Sequence, residues 1–196
     1  MIEVTGDEFG SSYDETVACP VCGHGRKQVA LLQLPAVSLP RSRDICETYA
    51  GEILVTDSLA DLLRGPDARL QQVLGLNGRP VRGWNQLLPQ PLCDISPVTG
   101  AGTSPVDDDD SGEFKCRFGH VLGLNQLSEL ALGAPPPQEC HVASTNQAFG
   151  WKIGLLRPES AIVVSQALRR RIETAGIRGA SFDVVRLHAE ASSLPQ

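Results

Sequence analysis

Residues 52–63 read Glu52-Ile53-Leu54-Val55-Thr56-Asp57-Ser58-Leu59-Ala60-Asp61-Leu62-Leu63. The run begins with branched apolar residues, which is typical of a buried strand. Thr56 follows at the point where its side-chain oxygen can accept hydrogen bonds from the first free N–H groups of a helix. Leu59, Leu62 and Leu63 then recur at helical spacing. The stretch therefore predicts a strand that leads directly into an amphipathic helix.

A second stretch repeats this pattern and reads Ala161-Ile162-Val163-Val164-Ser165-Gln166-Ala167-Leu168-Arg169-Arg170-Arg171-Ile172. Here Ser165 takes the place of Thr56 at the expected start of the helix. Each helix is predicted to close near a glycine in the left-handed cap position, Gly75 in the first case and Gly176 in the second. A further strand is expected after each closing phrase.

The two stretches together predict one α+β domain over residues 1–196. Its mixed β-sheet is expected to be built from two strand–helix–strand units, at 49–88 and 150–190, with a pair of knuckles of the zinc-ribbon kind. An acidic loop rich in proline and glycine is expected at 89–112, because proline is excluded from helix interiors and central strands.

The first knuckle is predicted at 15–35, around Cys19-Pro20-Val21-Cys22-Gly23. Two thiolates two residues apart, followed by a glycine that permits a tight turn, form half of a tetrahedral zinc site. A redox-active cysteine pair is the competing interpretation, since such pairs lie at a helix start. The following Gly23-His24-Gly25 opposes a helix and favours the metal site.

The second knuckle is predicted at 113–125, around Cys116-Arg117-Phe118-Gly119-His120. Cys19, Cys22, Cys116 and His120 would complete a Cys3His site for Zn²⁺. Cys140 or His141 remains an alternative to His120 as the fourth ligand. The other two cysteines lack a partner at ligand spacing, so burial in the core is expected for Cys46 and Cys93.

The charge and hydrophobicity of the sequence indicate which partners and which cellular location to expect. The 196 residues carry a formal net charge of -6, and acidic residues cluster in the first 18 positions and at Asp107-Asp108-Asp109-Asp110. Nucleic acid is not expected as a partner, because phosphate binding requires clustered lysine and arginine. Neither a membrane-spanning run nor a secretory signal is evident, so a cytoplasmic location is expected, where disulfides are rare.

The order of knuckle, strand–helix unit, knuckle and strand–helix unit resembles that of the bacterial double-CXXCG motif family. The first motif agrees throughout, as Cys19-Pro20-Val21-Cys22-Gly23, and the second agrees at Cys116, with Gly119-His120 in place of Cys-Gly. The stretch 161–187 is similar to the closing segment of that family. The resemblance implies an immunity protein that binds and neutralises a cognate bacterial toxin, with acidic segments that would attract a basic partner.

Catalytic motifs are absent from the sequence: it contains no Gly-x-Ser-x-Gly elbow, phosphate-binding Gly-x4-Gly-Lys loop or His-Glu-x-x-His pair. The prediction is therefore a protein that is not an enzyme, with zinc adding folding free energy. A zinc-dependent or cysteine-dependent enzyme and a zinc-ribbon module of a larger assembly are the alternatives. The oligomeric state is left open.

Overall fold

The computed structural model describes residues 13–65, 67–104, 107–108, 113–154 and 156–188. Within these ranges two α-helices occur, α1 at Asp57–Leu63 and α2 at Gln166–Thr174. In the described part of the chain, neither helix has the length and apolar character needed to cross a membrane.

Most of the regular secondary structure in the described residues is β-strand, and most of the strands are short. The described residues form β1 Tyr13–Asp14, β2 Lys27–Gln28, β3 Ile45–Glu47, β4 Ile53–Thr56, β5 Ala68–Leu74, β6 Pro80–Pro89, β7 Pro91–Cys93, β8 Ala101–Ser104, β9 Asp107–Asp108, β10 Asn125–Gln126, β11 Ala131–Leu132, β12 Val142–Phe149, β13 Glu159–Val164 and β14 Arg186–Leu187. A fold with both helices and sheets confirms the predicted α+β class.

The largest sheet is antiparallel, with strand order β3-β4-β6-β5. Successive residues of β4 point to opposite faces of it, as the strand geometry requires. Val55 packs with the residues of α1 and α2, whereas Leu54 packs with Leu32, Leu34 and Val73 on the other side. Because both faces of β4 are covered, its apolar run is continuous rather than alternating.

The second sheet has the order β13-β12-β7, and it is mixed: β12 pairs antiparallel with β13 and parallel with β7. The two helices lie against each other where the two sheets meet. Leu59 and Leu63 of α1 share one buried cluster with Leu168 and Ile172 of α2 and with Val142 of β12. This shared core joins the two predicted strand–helix units, although β4 and β13 belong to different sheets.

Both helices begin where the sequence predicts. Ser165 caps α2, since its side chain accepts a hydrogen bond from the Leu168 N–H at 3.2 Å. Thr56 occupies the same position before α1 but makes no capping bond, and its hydroxyl donates to Asp44 instead, at 3.2 Å. Gly176 has the predicted left-handed conformation, with φ of 67°.

The ends of the units differ from the prediction. Helix α1 ends at Leu63, because Gly65 and the proline after it disfavour helix. The residues expected to continue it form β5 instead, and Gly75 is not among the glycines with positive φ. After α2 the expected strand over 182–187 is reduced to β14, which pairs in parallel with β11 rather than with β13.

The two acidic stretches of the sequence are only partly included in the described residues. Residues 1–12 and 109–112 are not described, so Glu3, Asp7 and Glu8 of the acidic N-terminal stretch and half of the aspartate run fall outside the described residues. Asp14 and Glu15 are described, and Glu15 forms ion pairs with Lys152 and Arg157. The remaining half of the aspartate run, Asp107–Asp108, forms β9 and pairs with β8. The expected loop at 89–112 therefore includes strands.

Candidate metal centre

The first knuckle is a tight turn closed by backbone hydrogen bonds. The Cys19 N–H donates to the carbonyl of His24 at 2.8 Å, and the Gly23 N–H donates to the carbonyl of Cys19, also at 2.8 Å. Gly23 has a φ of 75°, a conformation that residues with a side chain rarely adopt. A Cβ atom there would also lie 2.7 Å from Cβ of Lys152. Gly23 is thus required for two reasons, its backbone conformation and its close contact with Lys152.

The second knuckle has a closely similar backbone. The Cys116 N–H donates to the carbonyl of Val121 at 3.0 Å, and the Gly119 N–H donates to the carbonyl of Cys116 at 2.8 Å. Gly119 has a φ of 77°. Both turns are therefore closed by a hydrogen bond from the first cysteine to the residue five positions later. His120 follows Gly119 at the point where the chain leaves the turn.

The two knuckles meet and bring together the four residues predicted from the sequence. The ligand atoms of Cys19, Cys22, Cys116 and His120 all lie within 4.8 Å of one another. Sγ of Cys19 lies 3.8 Å from Sγ of Cys116. Nδ1 of His120 lies 3.8 Å from Sγ of Cys22 and 3.9 Å from Sγ of Cys116. The cluster can hold one metal ion, and its cysteines are free thiols rather than a disulfide.

Packing and backbone pairing fix the cluster in place. Cys22, Cys116 and Val121 form a buried group against which Val21 and Trp151 pack. Val121 is bridged to Ala148 of β12, whose N–H donates to the carbonyl of His120 at 2.8 Å. The second knuckle is therefore attached to the second sheet.

The thiols have unequal acidity. The backbone N–H of Cys22, which donates to the Cys19 sulfur, lowers the pKa of Cys19 to about 6, whereas burial raises the pKa of Cys22 to about 12. The low pKa of Cys19 favours one thiolate in the cluster, and the high pKa of Cys22 opposes a second one. A divalent cation at the centre would remove that opposition, because metal coordination deprotonates thiols.

His24 lies beside the cluster. Its ring stacks on that of His120, with 5.5 Å between the ring centroids and 23° between the ring planes. Desolvation, and to a smaller extent the nearby His120, lower the pKa of His24. His24 therefore packs against a candidate ligand without being one of the four clustered residues.

The alternative fourth ligands lie elsewhere. Cys140 is buried in a second core with Cys93, and its thiol donates to the carbonyl of Val142 at 3.3 Å. His141 is exposed, and its Nδ1 lies 2.9 Å from Oγ of Ser165. Cys46 is half-buried and packs against the core residues Leu32, Leu34, Leu54 and Val73. The described structure thus separates the three knuckle cysteines from the other three.

A polar network next to the first knuckle was not predicted from the sequence. The Arg26 guanidinium lies 3.4 Å from Oε1 of Glu52, and 5% of the Glu52 side chain and 9% of the Arg26 side chain are exposed. Glu52 also accepts hydrogen bonds from the hydroxyls of Thr48 and Tyr13. Spacing in the sequence gives no sign of the contacts of Glu52 with Arg26 and Tyr13, because they join segments far apart in the chain.

The network forms part of the wall of a cleft of about 800 Å³, named here the knuckle cleft. It lies between the first knuckle, the four-stranded sheet and β13. Its polar lining includes Tyr13, His24, Arg26, Glu47, Glu52 and Glu159.

No family model matches the chain, and no curated protein or solved structure matches it. The fold and the site together define an α+β protein with a candidate Cys3His metal centre.

Proposed function

We propose that the chain is a non-enzymatic binding protein in which one zinc ion joins the N-terminal segment to the middle of the chain. The observation that carries this proposal is the geometry of the four ligand atoms. Zn–S bonds of about 2.3 Å and Zn–N bonds of about 2.0–2.1 Å imply tetrahedral edges of about 3.8 Å between sulfurs and about 3.6 Å between sulfur and nitrogen. One sulfur–sulfur separation is 3.8 Å, two sulfur–nitrogen separations of 3.8 and 3.9 Å are slightly longer than the ideal edge, and all four atoms lie within 4.8 Å of one another. A small contraction around one ion would give the tetrahedral shell.

The kind of ligand favours zinc. Three thiolates and one imidazole in tetrahedral arrangement suit a borderline-soft ion without a preferred d-electron geometry. Magnesium and calcium take oxygen ligands in six-coordinate or larger shells, so they do not fit this cluster.

The closed ligand shell supports a structural role over the enzymatic alternative. A catalytic zinc keeps one position for water or substrate and uses three protein ligands. Here four ligand atoms are available, and Cys22 and Cys116 are buried. The metal would instead join segments far apart in the chain, and its binding free energy would contribute to folding.

The proposed partner is a cognate bacterial toxin, with the chain acting as its stoichiometric immunity protein. The order of the two knuckles and the strand–helix stretches supports this. The net charge of -6 would favour association with a basic toxin surface. The six free cysteines suit a cytoplasmic location, where thiols remain reduced.

Co-expression with the product of a neighbouring toxin gene tests the proposal. We expect the wild-type chain to restore growth and to co-purify with the toxin at a ratio of about one to one. The matched control is Cys22→Ser, which removes one ligand and should lose protection as it loses zinc. Equal killing with and without the wild-type chain would refute the immunity function for that toxin.

A further inference from the structure

The knuckle cleft has the size and composition of a binding site. Its volume of about 800 Å³ lies within the range of about 300–1,000 Å³ that is usual for ligand pockets. Ile45, Ile162 and Phe182 give it apolar walls, and Gly23, His24 and Gly25 of the first knuckle form its rim. A ligand that enters would contact both apolar and polar groups.

Two carboxylates from different sheets face each other in this cleft. Glu47 ends β3 and Glu159 begins β13, and the two flank Gly51. A Cβ atom at Gly51 would lie 3.7 Å from Cγ of Glu159 and 3.9 Å from Oε1 of Glu47. Both distances are ordinary van der Waals contacts, so Gly51 lies directly between the two side chains.

Neither carboxylate is neutralised by the protein. Among the described residues, Glu47 and Glu159 have no hydrogen-bond or ion-pair partner, whereas the neighbouring Glu52 is paired with Arg26. Arg43 also lines the cleft but forms no ion pair with either. Desolvation by the cleft walls, followed by the charges of Glu159 and Glu52, raises the pKa of Glu47 to about 7. A cation between the two carboxylates would offset both effects.

A hydrogen-bond donor on the same wall also lacks an acceptor. The Arg157 side chain is 10% exposed, and its terminal nitrogens donate to the carbonyls of Gly154 and Leu156 and to Glu15. Its Nε is the buried side-chain nitrogen for which the described residues supply no acceptor. The charge of Arg157 is paired with Glu15, so it does not neutralise Glu159 on the same wall.

We propose that the knuckle cleft is a docking site for a basic segment of a partner protein, with a lysine or arginine side chain lying between Glu47 and Glu159. A polypeptide supplies both required features, which are a cationic side chain and apolar neighbours. Charge complementarity selects this occupant, because two unpaired carboxylates would repel an acidic segment. The inference rests on the proposed function in one respect, which is that the chain acts by binding another protein.

The test uses the zinc-loaded full chain and three probes. These are the peptide acetyl-Ile-Arg-Ile-amide, the same peptide with glutamine in place of arginine, and agmatine, a free guanidinium compound. Binding is followed at low salt by amide chemical shifts, with Gly51 as the reporter. The variant is Glu47→Gln with Glu159→Gln, and the control is Glu139→Gln, an exposed acid outside the cleft lining.

We expect saturable shifts at Gly51 with the arginine peptide and binding about tenfold weaker or more for the glutamine peptide and for the double variant. Glu139→Gln should bind as the wild type does. The double variant should fold as stably as the wild type, since it removes like charges. No saturable binding, or equal binding by the double variant, would overturn the proposal. Agmatine binding as tightly as the peptide would instead indicate a site for free organic cations.

Failure of this inference is distinguishable from failure of the proposed function. If the wild type and the double variant protect equally well against the toxin, the cleft is not the docking site and the immunity function stands. If the wild type gives no protection, the immunity function fails, and the peptide titration alone decides the role of the cleft.

Discussion

The candidate metal centre and the knuckle cleft both hold acidic groups close together, but the space between those groups differs in size. In the candidate metal centre, three thiol sulfurs and an imidazole nitrogen lie within 4.8 Å of one another, around space for a single ion. In the knuckle cleft, Glu47 and Glu159 stand on either side of Gly51 and border a volume of about 800 Å³. The first geometry suits a bare metal ion, and the second suits a larger organic cation.

The buried carboxylate of Glu52 shows how the protein neutralises an acidic group with one of its own cations. Glu52 lies on the same wall as Glu47, yet its carboxylate is buried and paired with Arg26, whose guanidinium also lies 3.7 Å from the ring centroid of Tyr13. Glu52 is thus paired within the protein, whereas Glu47 and Glu159 would be paired by a bound cation.

The largest effect is expected from Cys22→Ser, which removes a buried ligand. We expect loss of bound zinc and a fall in the free energy of unfolding on the order of 5 kcal/mol, or failure to fold, because metal binding and folding are coupled. Elemental analysis and urea unfolding measure the two quantities. Cys46→Ser is the matched control, since this half-buried thiol lies outside the cluster, and it should retain about one zinc per chain.

An intermediate effect is expected from Arg26→Met, which leaves Glu52 buried without its cation. Removing one partner of a buried pair costs about 3 kcal/mol or more. Urea unfolding measures the loss, and zinc content should not change. Adding Glu52→Gln to this variant should recover part of the loss. If Arg26→Met alone costs nothing, the Arg26–Glu52 pair does not stabilise the wall of the cleft.

The smallest effect concerns pH. The pKa of Glu47 rises from 4.5 to about 7 on folding, with desolvation as the largest cause. The folded state then binds the proton more tightly, so the free energy of unfolding should fall as pH increases from 4.5 through 7. Because the side chain is exposed to solvent in the cleft, we expect a change below about 1 kcal/mol.

Glu47→Gln should remove this decline, and Glu139→Gln should retain it. Urea unfolding at several pH values between 4.5 and 7.5 measures the slope. A variant with an unchanged slope would show that Glu47 does not carry the effect.

The metal cluster could be predicted from the sequence because each knuckle is a local turn. Two residue spacings and the glycines Gly23 and Gly119 define the turns, and zinc chemistry suggests that they meet. The strand that leads into each helix was also predictable, since period and capping residues act over a few positions.

The pairing of strands and the cleft could not be predicted in this way. Residues 68–74 contain Arg69, Gln71 and Gln72, and they become a strand because β6 pairs with them, not because of their own pattern. Glu47 and Glu159 likewise meet only after two sheets pack together. Such contacts depend on tertiary structure, which local propensity does not encode.

The most direct test of the central claim is X-ray absorption at the zinc edge of the purified, zinc-loaded chain. The account predicts one zinc bound by three sulfurs at about 2.3 Å and one nitrogen at about 2.0–2.1 Å, with no water in the shell. His120→Cys should convert this shell to four sulfurs with the metal retained. A shell with two sulfurs, or with an additional oxygen from solvent, would contradict a closed structural site at Cys19, Cys22, Cys116 and His120.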